Sequence, residues 1–136
     1  MSLARHVEAG IVVGLGSDVA GGPDLSLFAV MRSGAYTQSG LRTMLGEERP
    51  ALAPLDWLRM GTLEGARALG LEDAIGSLEA GKEADMIAVD PRRSAAIEGH
   101  DSDDPAEVMS RLIFRARPDM VSAAWVRGRR LELRTA

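Results

Sequence analysis

The fold is decided by the stretch Ile11-Val12-Val13-Gly14-Leu15-Gly16-Ser17-Asp18. Its apolar, partly β-branched run from Ile11 to Gly16 is typical of a buried parallel strand. The loop from Val19 to Asp24 contains glycines and a proline, and an apolar helical face begins at Leu25. The order strand, loop and helix predicts a βα unit with Asp18 at the carboxyl end of its strand.

Asp18 is the candidate functional residue of the chain. Catalytic and ligand-binding groups of barrels and open α/β folds project from the carboxyl ends of parallel strands. A carboxylate there can bind a cation, accept a proton from a metal-bound water, or cap the following turn. Position alone leaves these three roles open.

The remaining sequence predicts short helices followed by a β-rich part. We expect a helix end from Ala4 to Ala9 with Gly10 as its stop. We expect the weakly patterned stretch Gln38–Ala53, broken by Gly40, Gly46 and Pro50, to be mobile or partner-dependent, with at most a short helix at Leu41–Leu45. The further predicted elements are helices at Pro54–Met60, Thr62–Leu69 and Pro105–Phe114, a strand at Ala84–Val89, and a hairpin from Val121 around Arg127-Gly128. These elements divide the chain into residues 1–74 and 75–136.

Length and composition exclude several classes of protein. The chain has 136 residues and is 46% hydrophobic, whereas a complete (β/α)₈ barrel takes about 250 residues. The net charge of −4 is spread as mixed signs, so we expect no nucleic-acid partner. No apolar run approaches the ~20 residues of a membrane helix, and no signal peptide is evident. The absence of cysteine excludes thiolate zinc sites and fits a cytoplasmic location.

Two other patterns give weaker functional hypotheses. His6 and His100 are the only histidines and lack the spacing of a metal-binding pair, so we expect neither to bind a metal. Gly14-Leu15-Gly16 could begin a dinucleotide fingerprint, but Val19 stands where the third glycine would fall. An aspartate directly after the strand would also repel a pyrophosphate, which disfavours nucleotide binding.

Other charged and aromatic residues are interpreted as structural. Asp56 and Glu64 lie at the starts of predicted helices, where carboxylates are favoured. The pair Asp103-Asp104 precedes Pro105 as an N-cap would, without further oxygen ligands for calcium. Trp57 and Trp125 lie in apolar contexts and are expected to pack.

Four long stretches lie in a fixed order along the chain, at Val13–Gly22, Gly61–Leu71, Ile75–Met86 and Ala123–Leu131. Together they resemble the amidohydrolase superfamily, and its guanine deaminase branch in particular. The similarity lies in Val13–Gly22 (the last-strand motif), Gly61–Leu71 (the post-barrel helix), Ile75–Met86 (the return into the sandwich) and Ala123–Leu131 (the closing hairpin). Their order and spacing match the family over nearly the whole chain.

The resemblance implies an α/β fold, the C-terminal fragment of a metal-dependent (β/α)₈ barrel (last strand and trailing helices) plus part of the companion β-sandwich. It implies that Asp18 is both catalytic and metal-binding, beside a zinc ion whose other ligands lie upstream. The intact parent would hydrolyse guanine to xanthine and ammonia, whereas this chain alone would bind no metal and be inactive. The alternatives are another member of the deaminase and chlorohydrolase group, or a non-catalytic self-associating module, and we expect a homo-oligomer.

Overall fold

The helices and strands follow the sequence pattern closely in a computed structural model that describes residues 2–18, 20–48, 50–93 and 103–132. The elements are α1 (Leu3–Glu8), α2 (Leu27–Leu45), α3 (Pro54–Met60), α4 (Leu63–Ala68), β1 (Met86–Val89), α5 (Pro105–Arg115), β2 (Val121–Val126) and β3 (Arg129–Arg130). Single 3₁₀ turns lie at Pro91–Arg93 and Pro118–Met120. The fold is therefore α/β with one small sheet.

The sheet is antiparallel, in the order β1-β2-β3. Met86 of β1 pairs with Trp125 of β2, and an irregularity falls between Ala88 and Val89. The hairpin turns at Arg127 (φ 49°) and Gly128 (φ 75°). Two successive positive φ angles are the geometry that matches the twist of a two-residue hairpin. The predicted strand and hairpin are confirmed.

The core lies between helices that come from both predicted units. Met31 of α2 and Trp57 of α3 are buried together with Leu112 and Ile113 of α5. Met120, the residue directly before β2, is fully excluded from solvent. Burial of side chains this large is the main stabilising contribution to such a fold. The helices before and after residue 74 thus share one core, and the division at that point stays a prediction.

Helix α5 begins as the sequence predicts. The carboxylate of Asp104 accepts hydrogen bonds from the amides of Ala106 (2.7 Å) and Glu107 (3.3 Å), and Pro105 occupies the first turn. A side chain at this position satisfies amides that have no partner within the helix. Asp104 is an N-cap, as expected.

Helix α2 is longer than predicted. It continues through Gly40 and ends at Gly46, whose φ of 61° is left-handed, so the prediction of a break at Gly40 was wrong. A helical glycine costs only about 1 kcal/mol relative to alanine, which burial of Ala29 and Met31 in the same helix offsets. Gly40 lies in open space, and nothing opposes the helix there.

The run from Ile11 to Gly16 does not form a strand within the described residues, so the strand predicted there is wrong for this structure, and a final barrel strand stays a prediction for a complete barrel. Ile11 and Val12 are 52% and 48% exposed. Among the described residues, no parallel strand lies beside the run, and a parallel strand needs a hydrogen-bonded neighbour to form. The apolar pattern is correct for a buried strand, but the described part of this chain does not supply the partner.

Candidate functional site

The segment that leads to Asp18 is anchored on helices α3 and α4. The amide of Leu15 donates a hydrogen bond to the carbonyl of Met60, the last residue of α3, over 3.1 Å. Gly14 approaches α4 so closely that an added Cβ would lie 2.9 Å from the Cα of Gly65. Val13 and Leu15 pack against the core. These contacts fix the backbone just before Asp18.

Asp18 itself begins a tight turn. Its φ of 47° is left-handed, a conformation that aspartate tolerates better than most residues. Its carbonyl accepts hydrogen bonds from the amides of Gly21 (2.9 Å) and Gly22. A Cβ at Gly22 would lie 1.6 Å from the carbonyl oxygen of Ser17, so only glycine fits there. The turn therefore requires glycine at position 22, which is the kind of structural role expected from the sequence.

The carboxylate of Asp18 faces solvent. The residue is exposed, and its Oδ2 lies over Gly21, 3.2 Å from where a Cβ of that residue would be. Within the described part of the chain, no hydrogen bond or ion pair engages the carboxylate. Asp18 therefore does not cap the turn with its side chain, and its oxygens are accessible to a cation or a proton donor.

The described residues do not form a complete metal centre around Asp18. No group of three histidine, cysteine, aspartate or glutamate side chains is close enough to hold an ion within residues 2–18, 20–48, 50–93 and 103–132. His6 lies in α1 and its Nδ1 is 2.9 Å from the carbonyl of Ser2. His100 lies outside the described residues. Asp18 can contribute one ligand, whereas protein zinc sites use three or four.

The other carboxylates singled out in the sequence stabilise helix starts. Asp56 accepts a hydrogen bond from the amide of Ala53 over 2.8 Å. The carboxylate of Glu64 accepts hydrogen bonds from the guanidinium groups of Arg59 (3.0 Å) and Arg67 (2.7 Å). The hydrogen bond from Arg59 lowers the pKa of Glu64 below its usual value, and Arg67 acts in the same direction. Both carboxylates thus make contacts at the helix starts where the sequence places them.

Trp57 packs in the core, whereas Trp125 lies at the sheet surface. Trp57 is 4% exposed, and the guanidinium of Arg130 lies 6.0 Å from the ring centroid of Trp125.

Two cavities lie elsewhere on the molecule. An apolar groove of about 930 Å³ lies between α2, α5 and the sheet, and a cleft of about 300 Å³ lies beside Tyr36 and Phe114. Asp18 lines neither the groove nor the cleft, so both are separate from the candidate site.

Sequence reasoning missed the contact of Gly14 with Gly65 and the hydrogen bond of Leu15 to Met60. A glycine inside a strand pattern is a known sign of close backbone approach, and Gly14 carries that sign. Its partner could not be identified, because nothing in the spacing of Gly61–Leu71 indicates which residue faces the strand.

Comparison with known proteins places the chain in a family. The model of the amidohydrolase family matches residues 1–131. The chain belongs to the amidohydrolase family.

Among curated relatives, the chain is 35% identical over 129 residues to a probable guanine deaminase of Deinococcus radiodurans, covering 93% of the chain and 28% of the relative. It is 38% identical over 130 residues to a 5-methylthioadenosine/S-adenosylhomocysteine deaminase of Moorella thermoacetica, covering 94% of the chain and 28% of that relative. The chain thus spans less than a third of the length of these relatives.

Solved structures agree with this assignment. The chain matches the guanine deaminase of Bradyrhizobium japonicum with a TM-score of 0.82 and 26% identity, over 99% of the chain and 34% of that structure. It matches an adenosine deaminase of Xanthomonas campestris, solved with bound zinc, with a TM-score of 0.72 and 32% identity, over 91% of the chain and 26% of that structure. In the described residues, no helix is long and apolar enough to cross a membrane.

Proposed function

We propose that this chain supplies Asp18 to the metal centre of a hydrolytic deaminase acting on guanine, as the carboxylate after the last strand of a (β/α)₈ barrel. The observation that carries the proposal is the solvent-facing, unengaged carboxylate of Asp18 on an anchored turn. The similarity to deaminases of purine compounds in two curated relatives supports the reaction class.

The reaction replaces an exocyclic amino group by oxygen from water. Guanine and one water give xanthine and ammonia, so the water must lose protons and the leaving amino group must gain one. A carboxylate oxygen of Asp18 accepts a proton from the attacking water, a role that commonly contributes ~10²–10⁴-fold to the rate. Asp18 is exposed and free of side-chain partners within the described residues, so this transfer requires no bond within the chain to break.

A divalent metal fits the chemistry of Asp18 as one ligand. Carboxylate oxygens bind zinc and harder cations, and the zinc in the Xanthomonas relative supports zinc as the metal. Such an ion, when bound, lowers the pKa of water to about 7. The ligands besides Asp18 would come from outside the described part of this chain, in which no three histidine, cysteine, aspartate or glutamate side chains lie close enough to hold an ion.

A second substrate class has specific support. The relative from Moorella thermoacetica is 38% identical and bears the name of a 5-methylthioadenosine and S-adenosylhomocysteine deaminase. An adenine nucleoside would lose its amino group by the same chemistry, and the choice of ring depends on side chains that contact the substrate.

The alternative from another class of protein is a non-catalytic, self-associating module, which the exposed side chains of Ile11 and Val12 favour. We propose self-association for the chain alone and a cytoplasmic location.

The test uses the full-length product of the reading frame that contains this chain. Ammonia release is measured with guanine and with 5-methylthioadenosine, and zinc is measured after dialysis. We expect stoichiometric metal and faster release from guanine, with neither property in residues 1–136 alone. Faster release from the nucleoside would select the second substrate class. Full metal content with no release from either substrate would contradict deamination, and tight zinc binding by the chain alone would contradict the single-ligand assignment.

A further inference from the structure

Gly14 is the closest point of approach between the segment leading to Asp18 and helix α4. An added Cβ at Gly14 would lie 2.9 Å from the Cα of Gly65, 3.6 Å from the Cβ of Ala68 and 3.7 Å from the amide nitrogen of Gly65. A Cβ atom essentially never comes within 3.0 Å of such an atom, and two of these neighbours are backbone atoms of a packed helix. The backbone at Gly14 can therefore reach α4 only because residue 14 has no side chain.

The close approach of Gly14 to α4 brings Leu15 within hydrogen-bonding distance of α3. The amide of Leu15 reaches the carbonyl of Met60 over 3.1 Å. That carbonyl lies at the C-terminal end of α3, where carbonyls lack partners within the helix. Met60 is 6% exposed, so the bond forms against the core. Moving Gly14 outward would lengthen this bond first.

The anchor is close enough to Asp18 to determine where its carboxylate lies. Asp18 lies three positions after Leu15, which is at most about 10 Å of extended chain. On the other side, the carbonyl of Asp18 is held by the amides of Gly21 and Gly22. Asp18 is thus fixed between an anchor on the helices and a closed turn.

We propose that Gly14 is a positioning residue for Asp18, acting by seating the backbone on α4 so that Leu15 bonds to Met60. The proposal rests on the proposed function for its catalytic consequence, whereas its structural part can be tested in this chain alone. The proposed role of Gly14 involves no contact with the substrate. It acts through the backbone that carries Asp18.

The first experiment measures amide hydrogen exchange by NMR in residues 1–136. Gly14→Ala is compared with Gly16→Ala, because Gly16 lies in the same segment with nothing within 4 Å of its added Cβ and no positive φ. We expect the exchange rate of the Leu15 amide to rise by about tenfold or more in Gly14→Ala, because local opening exposes that amide to water. The amide chemical shifts of Gly21 and Gly22 should also change. Gly16→Ala should leave these signals near their original values.

A second variant covers the case in which Gly14→Ala does not fold. In Gly65→Ala the added Cβ lies 3.1 Å from the carbonyl oxygen of Met60, so it crowds the same hydrogen bond more gently. Faster exchange at Leu15 in either folded variant supports the seating role. Unchanged exchange at Leu15 in folded Gly14→Ala overturns it.

The second experiment measures kcat and KM in the full-length product. We expect kcat of Gly14→Ala to fall by about 10–100-fold with KM within about twofold, because an error near 1 Å in placing a reacting group can cost 10²-fold. A general loss of structure would instead lower the folded fraction and leave kcat per folded molecule unchanged. Gly40→Ala, in open space on α2, is the control.

The outcomes separate the two claims. If Asp18→Asn abolishes turnover while Gly14→Ala keeps full kcat, the positioning role is wrong and the proposed function stands. If Gly14→Ala releases the Leu15 amide but Asp18→Asn has normal turnover, the seating of Gly14 stands and the catalytic assignment of Asp18 fails. Loss of both the Leu15 protection and kcat in Gly14→Ala is the result we expect.

Discussion

The carboxylate of Asp85 accepts a hydrogen bond from the backbone amide of Arg127 over 2.6 Å. The amide of Gly128 also donates to the carbonyl of Ala84 over 3.1 Å. The chain just before β1 is thereby tied to the turn between β2 and β3. Asp85 thus makes a contact across 42 residues that the sequence could not indicate.

Asp85→Ala should lower the free energy of unfolding by about 1 kcal/mol, the usual net contribution of one such hydrogen bond. Asp85→Asn keeps an acceptor oxygen and should lose less. Urea unfolding followed by circular dichroism measures both. Equal losses in the two variants would show that the charge, and not the hydrogen bond, stabilises the turn.

Two glycines of α2 give a matched test of helix packing. A Cβ at Gly34 would lie 2.6 Å from Cζ3 of Trp57, whereas Gly40 has nothing within 4 Å. Gly34→Ala should therefore lower the free energy of unfolding by about 1–3 kcal/mol through overpacking. Gly40→Ala should raise it by up to about 1 kcal/mol, because alanine is the better helix former. Equal effects at the two positions in urea unfolding would contradict the packing of α2 on α3.

Glu64 should make stability depend on pH. Its pKa is held below the ordinary value of 4.5, first by the hydrogen bond from Arg59. The contribution of a carboxylate whose folded-state pKa is depressed is complete above its unfolded pKa and is lost as the pH falls through the folded pKa. The difference in unfolding free energy between wild type and Glu64→Gln should be constant from about pH 6 to 7 and should shrink as the pH falls below about 4.5.

Glu83→Gln is the control for that experiment, because Glu83 is exposed and its side chain has no ion pair within the described residues. The same measurement on this variant gives the effect of removing one exposed carboxylate that has no such ion pair. Added salt should weaken the Glu64 effect, since surface ion pairs are screened. A Glu64→Gln difference that grows on acidification would contradict the assigned direction.

The segment Ile11–Gly16 should promote association of the isolated chain. Within the described residues, the amides of Val12, Val13 and Gly16 have no hydrogen-bond partner, and Val12 is 48% exposed. An unpaired, apolar backbone edge is a template for pairing with another copy. Sedimentation at micromolar concentration should show a dimer or larger species. Val12→Lys should shift it towards monomer, whereas Val7→Lys, on the exposed face of α1, should not. A cooperative monomer of the unmodified chain would refute the idea.

Local signals in the sequence predicted much of the fold. Pro54 opens α3, Asp104 caps α5, and Arg127-Gly128 forms the hairpin turn, each at the predicted place. These features depend on a few neighbouring residues, and their chemistry is visible in the sequence. The position of Asp18 directly after an apolar run was equally visible, and it identified Asp18 as the candidate functional residue.

The errors arose where distant contacts decide the structure. Gly40 lies inside α2 because the helix is held by side chains that pack against α3 and α5, which outweighs local propensity. The run Ile11–Gly16 has a strand pattern, yet pairing depends on a neighbouring strand that the described residues do not contain. The close approach of Gly14 to Gly65 on α4 also depends on long-range packing.

The most direct test of the central claim compares Asp18→Asn with Asp24→Asn in the full-length product, with ammonia release from guanine as the measurement. Both residues are exposed aspartates of one loop. The side chain of Asp24 accepts a hydrogen bond from the amide of Ser26, which asparagine can also do. Asp18→Asn should lower turnover by at least ~10²-fold, since it removes a proton acceptor without changing size. Asp24→Asn should remain near wild type. Near-normal turnover in Asp18→Asn, or equal losses in both variants, would contradict the assignment of Asp18 as the catalytic carboxylate.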